Sequence, residues 1–329
     1  MYIPRTYLGA LLMMLASMLC WGSWANTQKI DKTWPFELYY WDYMWGLTVC
    51  ALLFGLTLGR TNPAAPVSFF HNLDGASRRA LLEALAGGMI FNLGNLLLVA
   101  AISIAGMAVA FPLGAGLALV IGAVLNYFVS PAGNPLLLFG GILLICAAIA
   151  SSAMAYRGLA KGTKAGTKGI ALSLLCGVVI GLFYPFVAKA LTGESHLGPY
   201  TVYFVFALGA LASNFPLNYA FMRWPVTGSR VTAADYFRGG RAAHSWGILG
   251  GLIWGTGTIC SFVAASAPTV GPATSFSLGE GNTMISALWG VFVWKEFRGA
   301  DSGVTRLLAL MFALFVLGLV SISLAPVFG

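Results

Sequence analysis

The sequence predicts an all-α membrane protein, ten transmembrane helices in a 5+5 inverted repeat. Three observations carry that expectation. Of the 329 residues, 59% are hydrophobic and 9% are charged, whereas a soluble domain carries roughly 25% charged residues. Ten acidic and 18 basic side chains cannot cover a water-facing surface on a chain this long. A soluble enzyme, a nucleic-acid binder and a disordered chain are thereby excluded. The apolar residues gather in ten runs, each near the length of about 20 residues that crosses roughly 30 Å of hydrocarbon. The second five runs also echo the first five in order.

The first run, 6–26, follows Arg5 and ends at Ser23-Trp24-Ala25, which a leader peptidase would also accept. It is read as a retained span, because its removal would leave one half short of a helix. The first half continues with runs at 38–59, 80–103, 106–129 and 135–156. The second half holds 169–191, 198–222, 244–267, 272–294 and 304–326. These runs are continuous rather than alternating, which favours helices over barrel strands. Pro112, Pro185, Pro216 and Pro272 mark places to bend or break. The cysteines all fall inside apolar runs without CxxC spacing and read as small buried hydrophobes.

The halves, 1–160 and 161–329, align piecewise. Lys29 falls on Lys189, Tyr40 on Tyr200 and Tyr43 on Tyr203. Gly87-Gly88-Met89-Ile90-Phe91 falls on Gly250-Gly251-Leu252-Ile253-Trp254, and Leu113-Gly114-Ala115-Gly116 on Leu278-Gly279-Glu280-Gly281. Five crossings is an odd number, so the second copy enters from the opposite side and the copies are inverted. Secondary transporters are commonly built this way, with substrate held near the midplane between the halves. Loops on the terminal side hold Arg5, Arg60, Arg78 and Arg79. The other loops hold most remaining Lys and Arg, densest over 157–168. The positive-inside rule then predicts a multi-pass protein of the cell (inner) membrane with both termini outside the cytoplasm.

An ionised side chain in hydrocarbon costs about 2.5–3.5 kcal/mol on insertion scales, so the few such residues are the first candidates for function. Glu280 lies a third of the way along the ninth run, between Gly279 and Gly281, with Asn282 just beyond. An acid there is the candidate proton carrier; a structural salt bridge is the alternative. Lys189 is its candidate charge partner, unless it snorkels to the interface. Lys29 and Asp42 form the corresponding candidate gate at the other face, with Asp42 a second candidate in proton coupling. Asn92 and Asn95 are three apart and share a helical face. With Trp24, Trp254, Thr258, Tyr184 and Asn282 they are candidate substrate-binding groups, suited to a polar, planar or hydroxylated solute. Interhelical hydrogen bonding is the alternative for the asparagines. Trp34, Trp41 and Trp45 read as interface anchors.

The histidines (His71, His196, His244) lie in or beside loops and do not cluster, so no metal is expected. There is no P-loop and no paired aspartate motif, which disfavours an ATP-driven pump and a transferase. No enzymatic activity and no cofactor are expected. The expected partners are a small-molecule substrate, a proton and the bilayer, with the chain a monomer or homodimer and no nucleic acid.

The chain resembles the drug/metabolite transporter superfamily and, within it, the ureide permeases. The likeness rests on Tyr40-Trp41-Asp42-Tyr43, Phe91-Asn92-Leu93-Gly94-Asn95-Leu96, and Val120-Ile121-Gly122 followed by Leu125-Asn126-Tyr127-Phe128. It also rests on Trp289-Gly290-Val291-Phe292 through Trp294-Lys295-Glu296-Phe297. A weaker similarity runs to rhamnose and glucose porters. The plant permeases carry a long central loop where this chain has only 157–168, and no matching family acid is assigned to Glu280. The resemblance implies proton-coupled uptake of a ureide such as allantoin, or a nucleobase such as uracil or an oxo-purine. The rivals are a sugar–proton symporter, a drug or metabolite exporter, and a membrane scaffold without a transport cycle.

Overall fold

The computed structural model describes residues 1–31, 33–60, 68–105, 107–159, 167–192, 196–226, 228–295 and 297–328. Most of the expected linker, 160–166, lies outside them, as does Lys32. The first half comprises α1 (Tyr7–Ser23), α2 (Ala25–Ile30), α3 (Phe36–Leu56), α4 (Phe69–Asp74), α5 (Arg78–Ala105), α6 (Met107–Val129) and α7 (Pro135–Leu159). The second comprises α8 (Thr167–Thr192), α9 (Pro199–Arg223), α10 (Ala233–Phe237), α11 (Arg241–Ala265), α12 (Pro272–Gly279), α13 (Asn282–Leu288) and α14 (Ser302–Leu324). Side chains start several of these helices. Thr6 accepts from the Gly9 amide to open α1, and Asp301 from the Val304 amide to open α14.

Nine helical stretches among the described residues are long and apolar enough to span a membrane. They correspond to every expected run but the ninth, and the chain is a multi-pass integral membrane protein. The ninth run is not one helix. It forms α12, a turn at Glu280–Gly281, α13, and a π-helical stretch over Trp289–Val293. Its two ends sit far apart in the bundle. Gly271 lies against Ala132 in the loop between α6 and α7. At the other end the Trp294 indole donates to Asn26 Oδ1 at 2.6 Å. The prolines do not mark the interruption: α6, α8 and α9 run unbroken through Pro112, Pro185 and Pro216. Neighbouring groups in a packed bundle re-satisfy the backbone that a proline frees.

The helices pack as a bundle with two apolar cores. One gathers around α3, α5, α8, α9 and α11, the other around α7, α12 and α14. The α5 helix packs on α8 and α9, α11 on α1 and α3, and α7 on α14. Lipid offers no hydrophobic drive between helices, so close backbone approach carries the packing. A Cβ on Gly88 would overlap the Phe206 carbonyl oxygen, and one on Gly251 would overlap that of Tyr43. Gly46 and Gly209 meet the carbonyls of Ile248 and Leu85 in the same way. In all these pairs one common offset carries the first-half residue to its second-half counterpart. The packing therefore sets Tyr43 opposite Phe206, one turn beyond the Tyr203 suggested by sequence matching.

Candidate functional site

The interruption in the ninth span positions the site. Gly271 takes a left-handed φ of 78°, which turns the chain sharply into Pro272 at the start of α12. At the other end of α12 the Gly281 amide bonds the Leu278 carbonyl at 3.0 Å, and the Met284 amide bonds the Gly281 carbonyl at 2.9 Å. These are i→i+3 bonds, a tightened turn that ends one helix and starts another. Glu280 sits at that turn, 4% exposed. The flanking glycines admit neighbours rather than space: Trp21 lies on Gly279, while Met18 and Leu319 lie on Gly281.

Glu280 and Asn282 face a small chamber between α1, α5, α6, α8 and α11. Its walls carry the rings of Trp21, Trp24, Phe91, Phe111, Phe183 and Trp254, and Asn95 supplies a further amide. Trp254 stacks on Phe91 at 4.1 Å and on Trp21 at 5.8 Å. Asn282 stands beside Glu280 in the chamber wall, and its Oδ1 is buried without a partner. The cavity volume is about 40 Å³.

Of the residues singled out in the sequence, Trp24, Asn95, Trp254, Glu280 and Asn282 line this chamber; Asn92, Thr258 and Tyr184 stand behind its wall. Asn92 Oδ1 accepts from the Tyr40 hydroxyl at 3.1 Å, and its Nδ2 donates to Ser213 at 2.9 Å. The same Tyr40 hydroxyl accepts from Asn95 Nδ2 at 3.2 Å. Thr258 accepts the Trp21 indole N–H at 3.1 Å, so it orients a ring that sequence reasoning left off the site. Tyr184 and Ser261 share a 2.8 Å hydrogen bond.

The charge partners differ from those expected. Lys189 is exposed, with its ammonium 5.8 Å from the Phe186 ring centre, and among the described residues no ion pair joins it to Glu280. One turn from a helix end, the flexible lysine stem reaches water, whereas Glu280 is buried mid-bundle. Asp42, 2% exposed, takes His244 and Tyr236 as partners in place of the expected Lys29. His244 Nδ1 lies 2.9 Å from Asp42 Oδ1, and the Tyr236 hydroxyl donates to the same oxygen at 2.6 Å. Gly247, one turn after His244, lacks the side chain that would collide with Asp42. Burial pushes the Tyr236 hydroxyl above its ordinary pKa, so it remains a donor at neutral pH. The Lys29 ammonium lies 4.7 Å from the Trp294 ring centre.

At the same end a wider vestibule of about 530 Å³ opens between the start of α3 and the α5–α6 turn, with Lys29, Asp31 and Glu37 on its wall. Hydrogen bonds from the Thr33 hydroxyl and amide hold the Asp31 carboxyl below its ordinary pKa. Glu37 is a buried acid that sequence reasoning missed. It is 3% exposed, with Oε1 unpartnered, and it falls one residue before the run taken as the second span. Among the described residues no His, Cys, Asp and Glu group is placed to hold a metal ion.

Comparison with known proteins gives a consistent answer. The ureide permease family model matches residues 39–167 and 155–325. Ureide permease 1 of Arabidopsis thaliana is 24% identical over 381 aligned positions, covering 96% of each chain. Ureide permease 2 of the same plant is 23% identical at the same coverage. The glucose uptake protein GlcU of Bacillus subtilis (strain 168) is 27% identical over 73% of this chain and 79% of its own. One crystal structure shares the fold at a TM-score of 0.57 and 16% identity, covering 97% of this chain and 98% of the other.

Proposed function

The chain belongs to the ureide permease family, and from that membership we propose a secondary active transporter, neither an enzyme nor a scaffold. It takes up a small polar heterocycle, a ureide such as allantoin or a nucleobase such as uracil, with a proton carried on Glu280. The observation that carries this reading is the buried, unpartnered Asn282 acceptor beside Glu280 in a chamber walled by six aromatic rings. A buried acceptor without a donor costs about 1–3 kcal/mol, and the N–H groups of a ureide or nucleobase would satisfy it. Base–aromatic stacking contributes about 1–3 kcal/mol per ring, and Trp24 and Trp254 offer faces for it.

Alternating access between inverted halves, 1–160 and 161–329, is the mechanism we assign. Its support is the packing pattern: Gly88 on Phe206 has its counterpart in Gly251 on Tyr43, and α5 against α8 has its counterpart in α11 against α1. A chamber of about 40 Å³ holds only a few waters, so a ring enters when the halves part. Asp42, His244 and Tyr236 would latch the end that carries the vestibule, while Lys29 and Lys189 act as interface charges at opposite ends. Loop charges support both termini outside the cytoplasm of the inner membrane.

The similarity to GlcU favours a second reading, a sugar porter of the same architecture. A sugar presents hydroxyls around its whole ring, and the chamber has three polar side chains among its aromatic walls, which suits a flat ring better. Proteoliposomes under an inward proton gradient separate the readings, with labelled ureides, nucleobases and monosaccharides offered in parallel. Gradient-dependent uptake of a ureide or nucleobase, abolished by a protonophore, is the expected result. Uptake of monosaccharides alone would favour the sugar porter, and no flux of any solute would return the scaffold.

A further inference from the structure

On the outer face of α3 and α9, at the end that carries the vestibule, a groove of about 520 Å³ runs under residues 230–237. Its floor is aromatic and open sideways: Trp45, Phe215 and Tyr219 are 45%, 54% and 64% exposed on membrane-spanning helices. Its rim carries Arg223 and Arg230, and no carboxylate lies among its lining residues. Neither guanidinium forms an ion pair with a carboxylate among the described residues. The roof is held rigid by a capping box, in which Thr232 and Asp235 bond each other's backbone at the start of α10.

We propose that this groove binds an anionic glycerophospholipid of the bilayer. The phosphate sits on Arg223 and Arg230, and an acyl chain lies along Trp45, Phe215 and Tyr219. Charge complementarity selects this occupant. Two unpaired guanidiniums at the end of an apolar channel match a phosphodiester at the end of an acyl chain, and guanidinium binds phosphate bidentately. The loops at this end also hold most of the chain's cations, as expected where anionic headgroups gather. A lipid here would touch Tyr236, which lines the groove and donates to Asp42 at 2.6 Å. One side chain thus joins the lipid site to the Asp42–His244 pair.

The test uses the purified full-length protein and does not depend on knowing the transported solute. Native mass spectrometry and thermal melting are run with phosphatidylglycerol, phosphatidylcholine, and glycerol phosphate without tails. Wild type should retain phosphatidylglycerol over phosphatidylcholine and melt at a higher temperature with it. Arg223→Ala/Arg230→Ala should melt normally in detergent, lose the preference and lose the shift. Arg223→Lys/Arg230→Lys keeps the charge and should restore part of both. Equal response to the two lipids, or a preference that survives the alanine pair, would overturn the proposal. A full shift from glycerol phosphate alone would also overturn it, as would a dimer that excludes phosphatidylglycerol from the groove.

Discussion

Phe91 stacks on Trp254 with ring centroids 4.1 Å apart and planes 25° from parallel, and these are the two residues that the internal repeat sets in correspondence. Groups exchanged by a two-fold axis can touch each other only at that axis. The stack forms one wall of the chamber that holds Glu280, and under the proposed inverted repeat it lies where the two halves meet. In the proposed alternating-access cycle, a substrate bound against Trp254 would rest on the contact about which the halves turn.

That placement predicts a stacking contribution from Trp254 to substrate binding. Trp254→Ala should weaken substrate competition for uptake by about 5- to 150-fold, the equivalent of about 1–3 kcal/mol of stacking. Trp254→Phe, which keeps a ring against Phe91, should lose much less. Equal losses in the two variants, measured as inhibition constants, would remove stacking from the account.

The glycine crossings predict matched damage in the two halves. Gly88→Val and Gly251→Val each force a side chain onto a facing carbonyl, of Phe206 and of Tyr43. Both should lower the melting temperature in size-exclusion thermostability assays, and by similar amounts. Gly140 is the control, because a Cβ there meets nothing within 4 Å. Gly140→Ala should be neutral or stabilising by up to about 1 kcal/mol. Damage confined to one of the paired glycines would argue against equivalent halves.

The Asp42 cluster predicts strong coupling. Asp42 is buried and is bonded by both His244 and Tyr236, so removing a partner leaves a buried acceptor short of a donor, at about 1–3 kcal/mol. His244→Ala and Asp42→Asn should each be costly, and the double variant should cost far less than their sum in a thermal-melting cycle. Because the Tyr236 hydroxyl titrates above its ordinary range, it stays protonated from pH 5 to 8. Tyr236→Phe removes one of the donors to Asp42 and should lower the melting temperature.

Spans were legible because hydrocarbon demands continuous apolar runs. The chemistry of the chamber was partly legible because buried polar groups are costly, and that drew attention to Glu280, Asn95 and Trp254. Which of two nearby asparagines lines the cavity was not. Residues three apart on a helix differ by about 60° around its axis, enough to turn Asn92 to Tyr40 and Ser213 while Asn95 lines the chamber. The interruption at Glu280–Gly281 carries no proline of its own: Pro272 opens α12, and Pro112, Pro185 and Pro216 lie in helices that run unbroken. His244 was overlooked for a related reason. It sits at the head of its own span, and only the crossing at Gly247 brings Asp42 to it.

The central claim is that Glu280 carries the proton. The most direct measurement compares wild type with Glu280→Gln in proteoliposomes, reading gradient-driven accumulation and substrate exchange side by side. The account predicts that the variant still exchanges substrate across the membrane but no longer concentrates it, whatever proton gradient is imposed. Accumulation by Glu280→Gln at the wild-type level would contradict it.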